Sequence, residues 1–301
     1  MTVVTSPALA GDHNIRSSPL WQVSAELLKI RTTAAWRWFL VALVLLTGQA
    51  LLRNGVTHHY ELHPQLDQLN AADKAQALAQ AADANTHAGH VAIMGDMVTS
   101  GQFAGGLLTM LLGILVVTGE ITHRTATATY LANPNRGQVL VAKLAATMGV
   151  AGAFWAITTV IDIITNVFYI RSEGFNVNGS DPVIVRSVLL NLLAYAMWAG
   201  FGVGVGSLLR GQTAAVVTGM AMYFAGIAAA ALLANLVHQL YPHDWVLGLP
   251  VIAPAVAAQI MVNPGRVFDH APPQWAGLAV MAAYTLVFTV TGALIARRRD
   301  I

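Results

Sequence analysis

Histidine is the residue type that most directly points to chemistry in this chain of 301 residues, which has ten histidines and no cysteine. His59 and His63 are four residues apart, and His87 and His90 are three apart. At these spacings two imidazoles on one helix can bind the same metal ion. No neighbouring carboxylate or cysteine completes a ligand set, because Glu61 lies on the other helix face. The pattern therefore favours a solvated polar loop over a metal site.

Asp162 is the one acidic residue deep inside an apolar stretch. Charges within a membrane are costly, and by default they indicate a functional site. Arg186 begins the next apolar stretch. The two charges would lie at a similar depth if the stretch that holds Asp162 reaches the membrane surface close to Asp162. We predict an ion pair between Asp162 and Arg186; the alternative is that Asp162 contacts a substrate or an ion.

Patterns typical of enzymes are missing from the sequence. A phosphate-binding loop ends in Gly-Lys-Ser/Thr, whereas the three lysines here follow Leu28, Asp73 and Ala142. The sequence shows no Ser–His–Asp set, no paired carboxylates and no surface suited to nucleic acid. We expect that the chain is not an enzyme, holds no cofactor and has no nucleic-acid partner.

Composition indicates that helices within a membrane position these residues. The chain is 56% hydrophobic and 10% charged, whereas a soluble domain has roughly 25% charged residues. Crossing the hydrocarbon core takes about 20 helical residues. We therefore predict an all-α polytopic membrane protein with six transmembrane helices, at Thr32–Leu52, Met97–Gly119, Leu144–Ile161 (extending to Ile170), Ser187–Leu209, Gly211–Val237 and Trp275–Ala296.

A seventh uncharged stretch, Trp245–Val262, contains Gly248, Pro250 and Pro254. A proline inside a helix costs about 3 kcal/mol or more. The stretch therefore predicts a broken, re-entrant or interfacial pair of short outer helices between spans five and six.

Charge asymmetry orients the predicted spans. Positively charged residues collect on the cytoplasmic side of membrane proteins, and six crossings place eleven of the sixteen Lys and Arg residues on one side: Arg16, Lys29, Arg31, Arg37, Arg124, Arg136, Lys143, Arg210, Arg297, Arg298 and Arg299. We expect both termini in the cytoplasm and the protein in the cell (plasma) membrane.

Segments outside the bilayer complete the organisation. Residues 1–17 are expected to be flexible, and 18–301 form a single transmembrane domain with an outer loop insert at about 53–96. Within this insert we predict a helix over Ala71–Ala84, capped by Asn70.

Ser18–Arg31 predicts an amphipathic helix capped by Ser18, which would lie on membrane lipids. The apolar face carries Leu20, Val23, Leu27 and Ile30, and the polar face carries Gln22, Glu26 and Lys29.

Glycines recur in two of the predicted spans. They are Gly105, Gly106 and Gly113 in span two, and Gly200, Gly202, Gly204 and Gly206 in span four. Small residues four apart allow membrane helices to approach closely, so we expect a packing contact at these positions. The functional alternative is a surface at which the two helices slide past each other.

The predicted loop between spans two and three carries the most informative motif, formed by Glu120, Thr125, Leu131, Pro134, Arg136 and Lys143. It resembles the inner loop of the type-2 ABC exporter permeases, whose pattern is a glutamate, Gly-Thr, Leu-x-x-Pro, an arginine and a downstream lysine. Arg124 stands where the family has glycine. The resemblance covers roughly Ser18 to Ile301.

The resemblance implies a six-helix permease that pairs with a second copy of itself and with two ABC ATP-binding subunits, which hold ATP and Mg. It also implies that the amphipathic helix and the inner loop receive the motion of the ATPase, with Glu120, Arg124, Thr125, Pro134, Arg136 and Lys143 at the coupling site. The alternative for these charges is that they only set topology.

The expected function is therefore that of the membrane-spanning subunit of an ATP-driven exporter. Its mostly apolar spans favour a lipophilic or amphipathic cargo, such as a drug, a lipid or a hydrophobic peptide. The alternatives are a membrane-embedded enzyme or metal-handling protein that uses the outer histidines, and a receptor-like sensing subunit.

Single-cysteine labelling tests the orientation, because the chain has no cysteine of its own. In intact cells an impermeant thiol reagent should label Ala75→Cys, whereas Ala128→Cys and Arg299→Cys should react only after the membrane is opened. Labelling of Arg299→Cys in intact cells would contradict the predicted topology.

Overall fold

All regular structure in the described part of the protein is helical. The computed structural model describes residues 19–67, 69–125, 127, 129, 131, 135–175, 179–209, 211–265, 267–268 and 270–298. The predictions for residues 1–17, for the Ser18 cap and for Pro134 lie outside the described residues.

Eleven α-helices follow one another in the described residues: α1 Pro19–Thr32, α2 Ala35–Leu62, α3 Ala71–Ala84, α4 His87–Met97, α5 Gln102–Thr122, α6 Arg136–Glu173, α7 Pro182–Leu208, α8 Gln212–Met220, α9 Gly226–Leu240, α10 Pro254–Val262 and α11 Gln274–Arg298. A π-helical turn, Ala221–Ala225, joins α8 to α9, and a 3₁₀ helix, Asp244–Ile252, precedes α10.

Six helical segments of the described chain are long and apolar enough to cross a bilayer. They are α2, α4 with α5, α6, α7, α8 through α9, and α11, which we call spans one to six. This confirms the predicted all-α architecture with six spans. Span three has 38 residues, or about 57 Å at 1.5 Å per residue, so it extends beyond the hydrocarbon core.

The long helices define two ends of the bundle. The basic end carries Lys29, Arg124 and Lys143, and the histidine end carries His59 and His63. Much of the predicted outer insert at the histidine end is helical, formed by the last turns of α2, by α3 and by α4. The Asn70 cap of α3 is confirmed, since its side chain accepts a hydrogen bond from the Asp73 amide at 2.9 Å.

Spans two and four make the central contact of the fold through glycines. A Cβ atom at Gly202 would overlap the Met110 carbonyl, and one at Gly206 would lie 3.0 Å from the Ile114 carbonyl oxygen. Glycines four residues apart lie on one helix face, which explains the pair Gly202 and Gly206. The predicted packing contact is confirmed.

The other two glycines of span four face span six. A Cβ at Gly204 would come within 2.6 Å of the Phe288 backbone, and one at Gly200 within 3.0 Å of the Thr285 methyl group. The hydroxyls of Thr285 and Thr289 also donate to backbone carbonyls of span four, at 3.2 and 3.1 Å. Glycines at every second position thus give span four two faces of close packing.

The predicted Asp162–Arg186 ion pair is wrong. Asp162 is fully buried and Arg186 is exposed, and they form no ion pair in the described structure. The physical reason is depth. Asp162 lies eleven residues before the last residue of α6, Glu173, about 16 Å along the helix axis, whereas Arg186 is in the first turns of α7.

Asp162 instead contacts a break in span two. Residues 98–101 interrupt the helix between α4 and α5. The Gly101 amide donates to the Asp162 carboxylate at 3.4 Å, and the Tyr195 hydroxyl donates to the Gly101 carbonyl at 3.1 Å. Non-helical backbone at membrane depth needs such partners, so spans three and four stabilise the break.

The stretch between spans five and six is bent as predicted. The 3₁₀ helix and α10 meet at an angle of 105°, and each has nine residues. A segment of that length cannot cross a bilayer as one helix. Most of α10 is buried, and a Cβ at Gly277 of span six would lie 2.4–2.8 Å from its backbone if it were added.

Gly202→Ala should weaken the fold, because the added methyl group meets the backbone of span two. Overpacking of this kind costs about 1–3 kcal/mol, so the midpoint of thermal unfolding in detergent should fall. Gly149→Ala is the matched control, since a Cβ there meets nothing within 4 Å. Equal midpoints for the two variants would contradict the packing contact.

Candidate coupling site

Four charged side chains meet at the basic end, and we call them the four-charge network: Glu26, Lys29, Glu120 and Lys143. Glu26 and Lys29 lie one turn apart on α1, Glu120 is in the last turn of α5, and Lys143 is near the start of α6. The Lys29 ammonium is 2.7 Å from carboxylate oxygens of both Glu26 and Glu120. The Lys143 ammonium is 2.8 Å from the same two carboxylates. Each charge therefore contacts two of opposite sign.

Burial makes this network more than a surface feature. The side chains of Lys143 and Glu26 are 4% and 6% exposed. A buried charge is tolerated only when it is paired and hydrogen-bonded, and here two cations neutralise two anions. Removing one of the four would leave a buried charge without compensation.

An apolar contact lies beside the network. Val23 and Leu27 of α1 pack with Ile30 against Leu112 of α5 and Ala146 of α6. The predicted helix is confirmed over Pro19–Thr32, but Val23, Leu27 and Ile30 of its predicted apolar face pack against other helices of the chain, and Glu26 of its polar face does not face solvent. That side of α1 lies against the ends of spans two and three.

Lys29 is the exposed member of the network. Burial alone lowers the pKa of Lys29, but its hydrogen bonds to Glu120 and Glu26 outweigh this effect, so the pKa lies above the ordinary lysine value. A raised lysine pKa stabilises the fold at pH values below it. The contribution is therefore retained at neutral pH and lost only as the pH rises through this raised pKa.

The chain after α5 is attached to the same network. The Thr129 hydroxyl donates to the Glu120 carboxylate at 3.2 Å, and the Lys29 ammonium donates to this hydroxyl at 3.4 Å. The Thr125 amide donates to the Glu120 carbonyl at 2.9 Å. The network thus connects α1, the end of span two, the following loop and the start of span three.

Arg124 has an unusual backbone conformation. Its φ angle is +56°, the one positive φ at a non-glycine residue in the described chain. Only glycine adopts this left-handed region without strain. The resemblance places a glycine at this position, and Arg124 has the backbone conformation that glycine adopts most readily.

The structure brings together two of the residues predicted for the coupling site, Glu120 and Lys143. Arg124 and Thr125 are exposed beside them, and Arg136 is half-buried at the first position of α6. The Asn135 side chain caps this helix, accepting a hydrogen bond from the Gln138 backbone amide at 3.2 Å.

Sequence reasoning missed Glu26 and Lys29 as members of the site. The available signal was an opposite-charge pair three residues apart on an amphipathic helix. Such pairs are common on solvated helices, so the spacing alone did not indicate that Glu120 and Lys143 lie opposite this pair.

A separate cavity of about 1060 Å³ lies at the histidine end. His58 bridges two carboxylates there, with ring nitrogens 2.7 Å from Glu61 and 2.9 Å from Asp96. The Asn263 side-chain amide donates to the Asp96 carboxylate at 2.8 Å. Arg53 and Asn54 also line the cavity, so its surface suits a polar group.

Lys143→Met should destabilise the protein strongly, because it leaves Glu26 and Glu120 with only the half-exposed Lys29. Breaking a buried ion pair costs about 3–5 kcal/mol. The double variant Glu26→Gln with Lys143→Met should recover part of the loss in unfolding midpoint. Lys74→Met on α3 is the control, and additive effects of the two network substitutions would argue against electrostatic coupling.

Comparison with known proteins agrees with this architecture. No curated protein matches the chain significantly. A family profile described as "ABC-2 family transporter protein" matches residues 25–301, which covers all six spans and the whole four-charge network. The chain is a multi-pass membrane protein that belongs to the ABC-2 transporter family, whose members are membrane components of ABC transporters.

Proposed function

We propose that the chain is the membrane-spanning permease subunit of an ATP-driven exporter. Two copies would form the translocation path and pair with two ABC ATP-binding subunits. ATP and Mg would be held by those subunits, and this chain would be neither an enzyme nor a cofactor carrier. The four-charge network carries the proposal, because it attaches an amphipathic helix and a polar loop to spans two and three.

The network supports a mechanical role. A soluble subunit that displaces α1 or the loop after α5 would act on Glu120 and Lys143 through contacts of 2.7–2.8 Å. Glu120 is in the last turn of span two, and span two packs closely on span four. Motion at the basic end would therefore reach the centre of the bundle without a flexible connection.

Orientation follows from charge. The basic end would face the cytoplasm, where ATP-binding subunits reside, with both termini on that side of the plasma membrane. Leu20, Trp21 and Leu28 of α1 are exposed by 55–79%. An apolar surface on a charged interfacial helix suits contact with membrane lipids.

Surface chemistry supports both the second copy and the cargo class. The most apolar 18-residue stretches of spans one, five and six are only 11–17% buried within the described chain, whereas that of span four is 61% buried. These apolar faces are available to lipid and to a second copy. The apolar spans and the polar cavity at the histidine end together suit a lipophilic or amphipathic cargo that is released outward.

Reconstitution of the purified chain in liposomes separates the exporter function from the alternatives. We expect the chain to co-purify with an ABC ATP-binding subunit and to support ATP hydrolysis by the complex in liposomes. A membrane enzyme or a metal-handling protein would show no such association, and a receptor-like sensing subunit would bind a ligand without transporting it. Candidate drugs, lipids and peptides can then be compared by their stimulation of this ATPase activity.

Arg124→Gly tests the coupling role without a folding penalty. Glycine accepts the positive φ angle, so the variant should unfold at the same or a higher temperature than the wild type. If Arg124 contacts the ATP-binding subunit, association should weaken about tenfold, equivalent to about 1.4 kcal/mol. The readouts are subunit retention and ATPase rate in liposomes.

Arg186→Gln is the matched control for this substitution, because it removes an exposed arginine from α7, away from the turn that holds Arg124. It should leave both readouts unchanged. Wild-type association and ATPase activity in Arg124→Gly would remove Arg124 from the coupling site.

A further inference from the structure

Two helices place three ligand-type side chains together at the histidine end. His59 lies in the last turn of α2, and His63 follows directly after this helix. Glu173 is the last residue of α6. The His59 Nδ1 atom is 2.8 Å from one Glu173 carboxylate oxygen, and the His63 Nε2 atom is 3.0 Å from the other.

We propose that His59, His63 and Glu173 bind a divalent transition-metal ion of the zinc class. Two imidazole nitrogens and one carboxylate oxygen form a set of three protein ligands that leaves a fourth position open. The ligand atoms of the three residues all lie within 4.8 Å of one another. Ligands of a tetrahedral zinc ion are about 3.3 Å apart, so small side-chain rotations close the site.

The backbone already holds this arrangement. The His63 amide donates to the His59 carbonyl at 2.9 Å, which keeps the two imidazoles one helical turn apart. Gly174, with a φ angle of +70°, ends α6 directly after Glu173. The two helices pack beside the site, where a Cβ at Gly55 would lie 3.8 Å from the Tyr169 ring.

Exposure also suits metal binding from water. The Glu173 side chain is 9% exposed, whereas those of His59 and His63 are 53% and 59% exposed. The carboxylate belongs to the half-buried member of the set and contacts both exposed imidazoles, so the open position is on the solvent side. Glu173 is the carboxylate that the two histidines lack within their own helix.

The bound ion has a definite structural consequence. It would join the end of span one to the end of span three in place of two hydrogen bonds. Metal binding would therefore stabilise the histidine end and restrict the separation of these spans. This site is independent of the four-charge network and of any ATP-binding subunit.

The experiment uses the full-length chain without a polyhistidine tag, in nanodiscs stripped of metal with a chelator. Titration calorimetry with ZnCl₂ should give one tight site per chain. His59→Ala, His63→Ala and Glu173→Gln should each weaken this site at least tenfold. ZnCl₂ should also raise the unfolding midpoint of the wild type, but not those of the three variants.

His87→Ala and His238→Ala are the controls, since each removes a histidine elsewhere on the described chain. Both should keep the wild-type affinity and the thermal shift. Absence of a tight site in the wild type, or unchanged binding in His63→Ala, would show that the three side chains form only a hydrogen-bonded ion pair and would overturn the proposal. Neither result depends on association with an ATP-binding subunit.

Discussion

The close contact of spans two and four is the constraint on which the rest of the bundle depends. The contact requires positions without a side chain, and Gly202 and Gly206 supply them on one face of span four. The opposite pair, Gly200 and Gly204, receives span six. In a bilayer, helix association depends on van der Waals packing rather than on removal of apolar surface from water. Span four must therefore lack protruding side chains on two faces at once.

Burial of charge at the basic end is the second organising feature. Glu26 and Lys143 are almost fully removed from solvent, yet each has two partners of opposite sign. Pairs of this kind contribute little net stability compared with apolar side chains, but they are strongly sensitive to the loss of one member. The network therefore specifies where α1 lies, and any force on α1 acts on spans two and three.

Sequence reasoning succeeded where a property depends on neighbours along the chain. Hydropathy located the six spans, and the cap at Asn70 was read from local residue types. It failed where the partner is distant in sequence. Glu173 is 110 residues from His63, and Gly101 is 61 residues from Asp162. The local sequence also does not indicate that span three extends beyond the bilayer or that span two is broken at residues 98–101.

The π-helical turn of span five sets the phase of everything that follows it in that helix. The turn Ala221–Ala225 contains one residue more than an α-helical turn, and it carries Tyr223, whose hydroxyl donates to the Phe103 carbonyl at 2.6 Å. Deleting one residue there would restore a regular helix and leave α9 in nearly the same rotational phase, because the four remaining residues complete about one α-helical turn. Ala230 and Ala234, which are buried, would then keep their orientation toward their neighbours. A one-residue deletion in span five should thus be tolerated better at the π-helical turn than in the regular helix, where it would rotate the following residues by about 100°.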